Sequence, residues 1–264
     1  MKKVAILLLA ILTFSCSDDD EKGTEEDKGQ WAMIFNESVK NDSNPVDKTE
    51  KFMFDGERLI QHIIKQRYFE EEISNEVNLS YSDNQVTVTT DYLTLVYTLN
   101  SEGYASQCVY SLSSQNRIYQ FSYSAEGYLT GIVENIDNRE YSSTSLTYEN
   151  GDITSISSKM NGLENKFIYE PGEESSTYHL PCLGLLEIHP LTFHIEALYA
   201  GLLGKDPRHF TIRSCPAGSN DEKTIYSYEF DKKGNPSRMI CQTTYAGGQA
   251  SYYPYTRNIS VSFE

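Results

Sequence analysis

One short pattern recurs along this chain: an alternating apolar strand ends in an aromatic or leucine residue, and a polar turn then closes on glycine. The five instances are Phe54–Gly56, Leu99–Gly103, Tyr123–Gly127, Tyr148–Gly151 and Phe230–Gly234. Gly103, Gly127 and Gly151 follow one another at intervals of 24 residues. Such a period accommodates two strands of about eight to ten residues with their turns. The spacing therefore predicts one hairpin per period.

The residues between these turns alternate between apolar and polar, as in Leu93–Leu99 and Ile259–Phe263. This alternation is typical of an antiparallel sheet with one buried face. The turn glycines supply positive φ angles, which explains them without any ligand role. We predict an all-β domain over residues 31–264, an antiparallel meander of hairpins that forms a curved, barrel-like or half-barrel sheet. Tyr81–Asn84 is interpreted as a turn of the same kind without glycine.

The segment Tyr178–Phe210 interrupts this rhythm. Leu180–Pro190 is apolar with two prolines, which indicates a packed irregular loop. Leu191–Leu203 predicts a short helix that ends at Gly204 and packs on the concave side of the sheet. Arg67–Asn75 predicts a second, weaker helix or a loop, and Gln61–Tyr68 predicts a strand.

The N-terminus carries two lysines followed by an apolar run, Val4–Phe14, that is too short to span a bilayer. Residues 1–15 are interpreted as a signal peptide. Ser15-Cys16 resembles the lipobox of bacterial lipoproteins, in which Cys16 would be lipidated, although Thr13 stands where leucine is usual. The alternative is an ordinary secretory signal with an incidental thiol at Cys16.

Residues 16–30 are predicted to be a disordered acidic tether, because they contain nothing that could be buried beyond Cys16. Ser17–Glu21 resembles the surface-export signal of Bacteroidetes lipoproteins. The expected location is the outer membrane, with surface exposure favoured over a periplasmic orientation. A simple solvated tether is the alternative for this run.

The formal net charge is -16. Phosphate binding needs lysine and arginine, so this balance argues against nucleic acid as a partner. The expected partners are the membrane, through the N-terminal lipid, and a glycan or an envelope protein. The 20 tyrosines suit half-buried strands, where a ring packs inward and its hydroxyl reaches a polar edge.

Taken together, the lipobox, the acidic tether, the five hairpins and the late apolar segment Leu198–Gly204 resemble a Bacteroidetes family of uncharacterised lipoproteins with a porin-like fold. The resemblance covers residues 31–264. It implies successive hairpins in a curved, barrel-like sheet, and it implies no activity. A membrane-spanning barrel is disfavoured because many strand positions that would face lipid are Ser, Thr, Gln or Asn.

Four cysteines remain after Cys16: Cys108, Cys182, Cys215 and Cys241. Export permits disulfides, and four thiols allow three pairings. Buried thiols and one or two disulfides are equally compatible with the sequence.

No catalytic motif is visible, so we predict a non-enzymatic binding or structural module that needs no cofactor. Glu187, His189 and His194 are the candidates for a metal-dependent hydrolase, but Pro190 separates the two histidines and the helical ligand spacing is absent. Hydrogen-bonded histidines explain them better. The other alternative is a glycan-binding lipoprotein in which Tyr252, Tyr253 and Tyr255 stack on sugars, or else pack across the last hairpin.

Overall fold

The computed structural model describes residues 29–40, 46–68, 71–112, 115–175, 180, 183–219, 221–244 and 255–264. The predicted signal peptide, Cys16 and most of the predicted tether lie outside these ranges. No helix within them is long and apolar enough to cross a membrane.

Sixteen strands make up almost all of the described structure. They are β1 (Gln30–Lys40), β2 (Val46–Asp55), β3 (Arg58–Tyr68), β4 (Glu71–Ser82), β5 (Gln85–Thr89), β6 (Thr94–Leu99), β7 (Ala105–Leu112), β8 (Gln115–Tyr123), β9 (Leu129–Ile136), β10 (Arg139–Glu149), β11 (Asp152–Met160), β12 (Leu163–Ser175), β13 (His209–Pro216), β14 (Lys223–Phe230), β15 (Pro236–Thr244) and β16 (Tyr255–Phe263).

Each strand pairs antiparallel with its neighbours in the chain, and β1 pairs with β16, so the sheet is a closed barrel. In the closing pair, Met33 is opposite Phe263 and Lys40 is opposite Thr256. The predicted all-β meander of hairpins is therefore confirmed, in its fully closed form. Closure removes the free edges that an open sheet of this size would expose.

The two ends of the barrel differ in their turns. The five turns predicted from the sequence all lie at one end, which we call the glycine end. Their glycines have positive φ angles between 58° and 91°, at Gly56, Gly103, Gly127, Gly151 and Gly234. The opposite end, which we call the mouth end, includes the β9–β10 turn and the β11–β12 turn, where Asp137, Asn138 and Asn161 have positive φ angles.

The lumen of the barrel is a hydrophobic core. Alternate strand residues such as Val86 and Val88 in β5 are fully buried, whereas Asn78 and Ser80 in β4 are exposed on the outside. The alternation of apolar and polar strand residues predicted from the sequence is thus confirmed, and the apolar residues face inward.

The connection between β12 and β13 enters the lumen from the glycine end and fills it. We call residues 180 and 183–204 the plug. It contains 3-10 turns at Leu183–Leu185 and Leu191–Phe193 and one helix, α1 (Ile195–Tyr199). Its buried apolar residues pack with those of the walls in a single cluster. The predicted packed segment and short helix are confirmed, although the helix is only one turn and a half.

The structure corrects one prediction from the sequence and describes three of the cysteines. The predicted helix or loop at Arg67–Asn75 is wrong, because β3 continues to Tyr68 and β4 begins at Glu71. The glutamates there occupy exposed strand positions, where barrel pairing overrides their helix propensity. Cys108, Cys215 and Cys241 are buried thiols that form no disulfide. Cys182 lies outside the described residues.

Candidate functional site

The predicted sugar-stacking residues fall at the edge of what the structure describes. Tyr252 and Tyr253 lie outside the described residues. Tyr255 is the first residue of β16, and its side chain is not described. Thr244, the last residue of β15, and Tyr255 both lie at the mouth end. A stacking role for these three tyrosines therefore stays a prediction.

The three candidate metal ligands do not meet. His189 contacts Glu134, His194 contacts Tyr97, and Glu187 pairs with Arg257, each on a different part of the wall. Among the described residues, no group of three His, Cys, Asp or Glu side chains is placed to hold a metal ion.

The structure instead places His189 in a polar cluster at the mouth end. Its Nε2 atom lies 2.6 Å from Oε2 of Glu134, and Ser142 donates a hydrogen bond of 2.6 Å to the same carboxylate oxygen. Arg117 completes the cluster, with 3.3 Å between its NH1 atom and Oε1 of Glu134. The cluster thus joins the plug to β8, β9 and β10.

The partners of Glu134 determine its protonation state. Burial by itself would raise the pKa of this carboxyl group, but hydrogen bonds from His189 and Ser142 and the charge of Arg117 outweigh burial and lower it. Glu134 is therefore ionised at neutral pH. A buried carboxylate with several partners fixes the tip of the plug against the wall.

The cluster does not have the geometry of a nucleophilic triad. In a triad, one histidine nitrogen contacts the nucleophile and the other contacts the carboxylate. Here Nε2 of His189 contacts both Glu134 and Ser142, at 2.6 Å and 3.2 Å. Ser142 is also buried and donates its proton to Glu134. The arrangement serves to hold the plug and to shape the mouth.

Aromatic rings surround the exposed part of this cluster. The rings of Tyr141 and Phe193 lie edge-on to His189, with centroids 6.3 Å and 5.6 Å away. The Arg117 guanidinium lies 5.6 Å from the ring centroid of Tyr110 and 5.9 Å from that of Phe193. Cations over ring faces at this distance are attracted to them.

Beside the cluster, a cavity of about 360 Å³ opens at the mouth end between the plug and strands β11–β14. Its lining combines rings with hydrogen-bonding groups, including Tyr169, Tyr226, Asn165, Ser214, Glu187 and His189. The volume lies within the range of small-molecule sites in proteins.

Large apolar side chains are exposed mainly at this end. Of the seven such residues in the described part of the chain, six lie at or next to the mouth end: Ile73, Tyr92, Tyr141, Met160, Leu163 and Phe193. Exposed apolar residues gathered in one region mark an interaction surface more often than single ones do. The cavity and this rim together form the candidate functional site.

Two further sets of charges hold the plug. Arg257 donates to both carboxylate oxygens of Glu37 and to Glu187 of the plug. His62 is fully buried between Glu196 of the plug, 2.8 Å away, and Glu50 of β2, 3.3 Å away.

Deeper in the lumen, His194 is entirely buried and Tyr97 contacts its Nδ1 atom at 2.7 Å. Burial lowers the pKa of His194 to about 3, so the ring is neutral. One hydrogen bond thus joins the neutral ring to the Tyr97 hydroxyl group. The ring of Tyr119 lies perpendicular to His194 with centroids 4.4 Å apart.

Sequence reasoning missed the wall partners of the plug, but the alternation contains a signal for them. Each charged partner lies two residues from a buried apolar residue and so shares its inward face. The pairs are Glu37 with Phe35, Glu50 with Phe52, Arg117 with Tyr119, Glu134 with Ile132, and Arg257 with Ile259. All five lie toward the mouth end of their strands, so the charges that contact the plug are concentrated in that half of the lumen.

The comparisons agree with this architecture. A family model described as "Domain of unknown function (DUF4595) with porin-like fold" matches residues 52–238. A comparison with curated proteins finds no match.

Two solved structures are similar over most of their length. A porin-like protein from Bacteroides uniformis is 26% identical, with a TM-score of 0.80, over 88% of this chain and 96% of its own. A porin-like protein from Bacteroides vulgatus is 12% identical, with a TM-score of 0.51, over 86% and 96% of the two chains, and it supports the fold alone. Because the family model covers more than half of the sequence, this chain belongs to the family of domains of unknown function with a porin-like fold.

Proposed function

We propose that this protein is a non-enzymatic binding module, anchored to the outer membrane by acyl chains on Cys16, that takes a neutral saccharide at its mouth end. The observation that carries the proposal is the mouth cavity of about 360 Å³ with the exposed apolar rim beside it. The barrel itself acts as a closed body, because the plug packs against its walls throughout the lumen.

The lining of the cavity suits a sugar. Saccharides present hydroxyl groups to hydrogen-bonding side chains and C–H faces to aromatic rings. Asn165 and Glu187 supply the first kind of contact, and Tyr169 and Phe167 supply the second. Tyrosine rings offer large contact areas at a low cost in conformational entropy.

The position of the anchor supports exposure of the mouth. β1 begins at Gln30 at the glycine end, so a tether from Cys16 joins the barrel at the end opposite to the cavity. In this proposal the glycine end lies toward the membrane, and the mouth faces away from it. The acidic run Ser17–Glu21 supports display on the outer face of the outer membrane.

The outward surface supports a barrel that stands in water. Strand residues facing outward, such as Asn78, Ser80, Ser145 and Thr147, are polar and exposed. A membrane-spanning barrel has an apolar outward band instead. The lipid on Cys16 would then be the attachment to the membrane.

Binding can be tested with an array of neutral oligosaccharides and a variant that blocks the mouth. Asn165→Trp places a large ring on an exposed strand position that lines the cavity, so we expect at least tenfold weaker binding of any glycan that the wild type retains. Asn78→Trp is the matched control, since Asn78 is an exposed strand residue of β4 outside the cavity, and it should bind normally. Absence of binding to every neutral glycan would refute the saccharide assignment.

Anchoring can be tested in cells by labelling with an alkyne-bearing palmitate. The wild-type chain should take up the label and sediment with the outer membrane, because the thiol of Cys16 is the acceptor in a lipobox. Cys16→Ser should remove both properties, whereas Cys215→Ser, at a buried thiol of the barrel, should keep them. A labelled Cys16→Ser chain would show that the anchor lies elsewhere.

A further inference from the structure

A second groove, of about 750 Å³, lies at the glycine end, where the chain leaves the plug. Its floor includes the rings of Tyr128 and Tyr148, which are stacked with centroids 5.0 Å apart and an interplanar angle of 28°. Both rings are half-buried, so each presents part of a face or edge to the groove. Lys205 and Arg208 lie at its border, and both are exposed.

These two cations are held in place by the hairpin turns. The backbone N–H of Lys205 donates to the carbonyl oxygen of Gly127 over 2.9 Å, and that of Arg208 donates to the carbonyl oxygen of Gly151 over 3.0 Å. These hydrogen bonds connect the segment that follows the plug to the turns at Gly127 and Gly151, two successive turns of the 24-residue repeat.

Gly151 makes room for the side chain of Arg208. A Cβ atom on Gly151 would lie 2.7 Å from Cδ of Arg208 and 2.6 Å from the hydroxyl oxygen of Tyr128. The stem of Lys205 passes Gly127 at ordinary contact distance, since a Cβ atom there would lie 3.5 Å from its Cε. The aliphatic stems therefore cross the two turns, and the charged groups are presented at the groove.

The charge of these groups is available to a ligand. Within the described residues, neither Lys205 nor Arg208 forms an ion pair, and the guanidinium of Arg208 donates a long hydrogen bond of 3.4 Å to the carbonyl oxygen of Asn150. One carboxylate, that of Glu126, also borders the groove, where it accepts a hydrogen bond from Ser124. In a chain of net charge -16, these two exposed cations beside stacked rings can attract an anionic group.

We propose that this groove binds a saccharide that carries an acidic group. Lysine and the guanidinium fork of arginine pair with a carboxylate or a sulfate ester. The ring pair supports the sugar face, and Glu126 accepts hydrogen bonds from its hydroxyls. The site is separate from the mouth cavity and takes a different class of sugar.

The test is titration calorimetry of the full-length chain with tetragalacturonate, which carries carboxylates, and with a chondroitin 4-sulfate disaccharide, which also carries a sulfate. We expect binding of at least one probe, weakened by added salt. Methyl-esterified tetragalacturonate, which has no charge, should bind at least tenfold more weakly than the acid. Binding of one probe but not the other would identify the acidic group, and no binding of either at low salt would overturn the proposal.

Substitutions test whether the acidic probe binds in this groove. Lys205→Gln with Arg208→Gln should raise the Kd at least tenfold, and Tyr148→Leu should raise it at least threefold. Lys232→Gln with Lys233→Gln removes the same charge from another turn of the glycine end and should change the Kd less than twofold. If this control variant lost as much affinity for the probe, the proposal would be overturned, since the probe would then be attracted by the charge of the glycine end as a whole.

Folding does not confound this test. The contacts of Lys205 and Arg208 with the turns use backbone atoms, which the substitutions keep, and circular dichroism checks the fold of each variant. Asn165→Trp at the mouth should leave the Kd for the acidic probe within twofold. Failure of this groove and failure of the mouth site are therefore distinguishable.

Discussion

We expect Leu191→Ala to reduce the free energy of unfolding by about 2–5 kcal/mol, since that is the usual cost of truncating a buried leucine. Leu191 lies in the plug and is fully buried within the cluster that joins plug and walls. Its truncation would leave a void in the middle of the lumen. Chemical denaturation followed by circular dichroism measures the difference.

Leu163→Ala is the matched control for this prediction. Leu163 is 73% exposed at the mouth end, so its truncation should change the free energy of unfolding by less than about 0.5 kcal/mol. If Leu191→Ala were as stable as this control, the plug would not pack against the walls in solution. The lumen would then be an open space and the interpretation of a closed body would fail.

The second large effect concerns the buried charges that hold α1. Burial by itself would raise the pKa of Glu50, but the hydrogen bond from His62 and the charge of Lys48 lower it to about 2. Burial by itself would lower the pKa of His62, but Glu196 and Glu50 raise it above 6.5. Each group is thus stabilised in its charged form by the folded state.

The pH dependence follows from these directions. The stability that Glu50 contributes is fully present above pH 4.5 and is lost as the pH falls toward 2. The stability that His62 contributes is fully present below pH 6.5 and is lost as the pH rises above that value. Glu196 and Lys48 are the other charged groups facing this pair. The cluster should therefore contribute most between about pH 4.5 and 6.5.

Glu50→Gln should cost on the order of 3 kcal/mol of unfolding free energy at pH 5.5, because the variant lacks the buried charge whose partners lower the pKa of Glu50 to about 2. The difference in unfolding free energy between Glu50→Gln and the wild type should shrink as the pH falls from 4.5 toward 2, since protonation of Glu50 in the wild type removes the same charge. Equilibrium denaturation at several pH values measures it.

The control for this prediction is Glu229→Gln. Glu229 is also paired with an arginine, Arg238, but both side chains are exposed, so the change should cost less than about 0.5 kcal/mol. A deficit in Glu50→Gln that persists unchanged at pH 2.5 would show that packing rather than charge holds α1 at this point.

The hairpins could be predicted from the sequence because they are local. The turn at Gly127 and the strand alternation in Leu93–Leu99 each depend on a few adjacent residues, and both are confirmed. Closure depends on the pairing of β1 with β16, whose residues are more than 200 positions apart. No local pattern specifies that pairing, so the sequence left a half-barrel and a closed barrel as alternatives.

The site was harder to predict for a related reason. Glu134 was one acidic residue among many, and its role depends on His189, which approaches from another part of the chain. Only the position of Glu134 two residues after Ile132 places its side chain in the lumen. The groove at the glycine end depends on Lys205 and Arg208 crossing two turns that lie far earlier in the chain. Such contacts arise from three-dimensional packing, and no pattern of residue spacing in the sequence indicates them.

The seam between β1 and β16 has a consequence for biogenesis. Ala32 and Glu264 exchange two backbone hydrogen bonds of 2.9 Å, so residues more than 200 positions apart pair where the barrel closes. Until β16 has been synthesised and has paired with β1, the growing sheet carries two unsatisfied edges that can join those of other molecules. Folding of this barrel should therefore depend on protection of the β1 edge until β16 is available to pair with it.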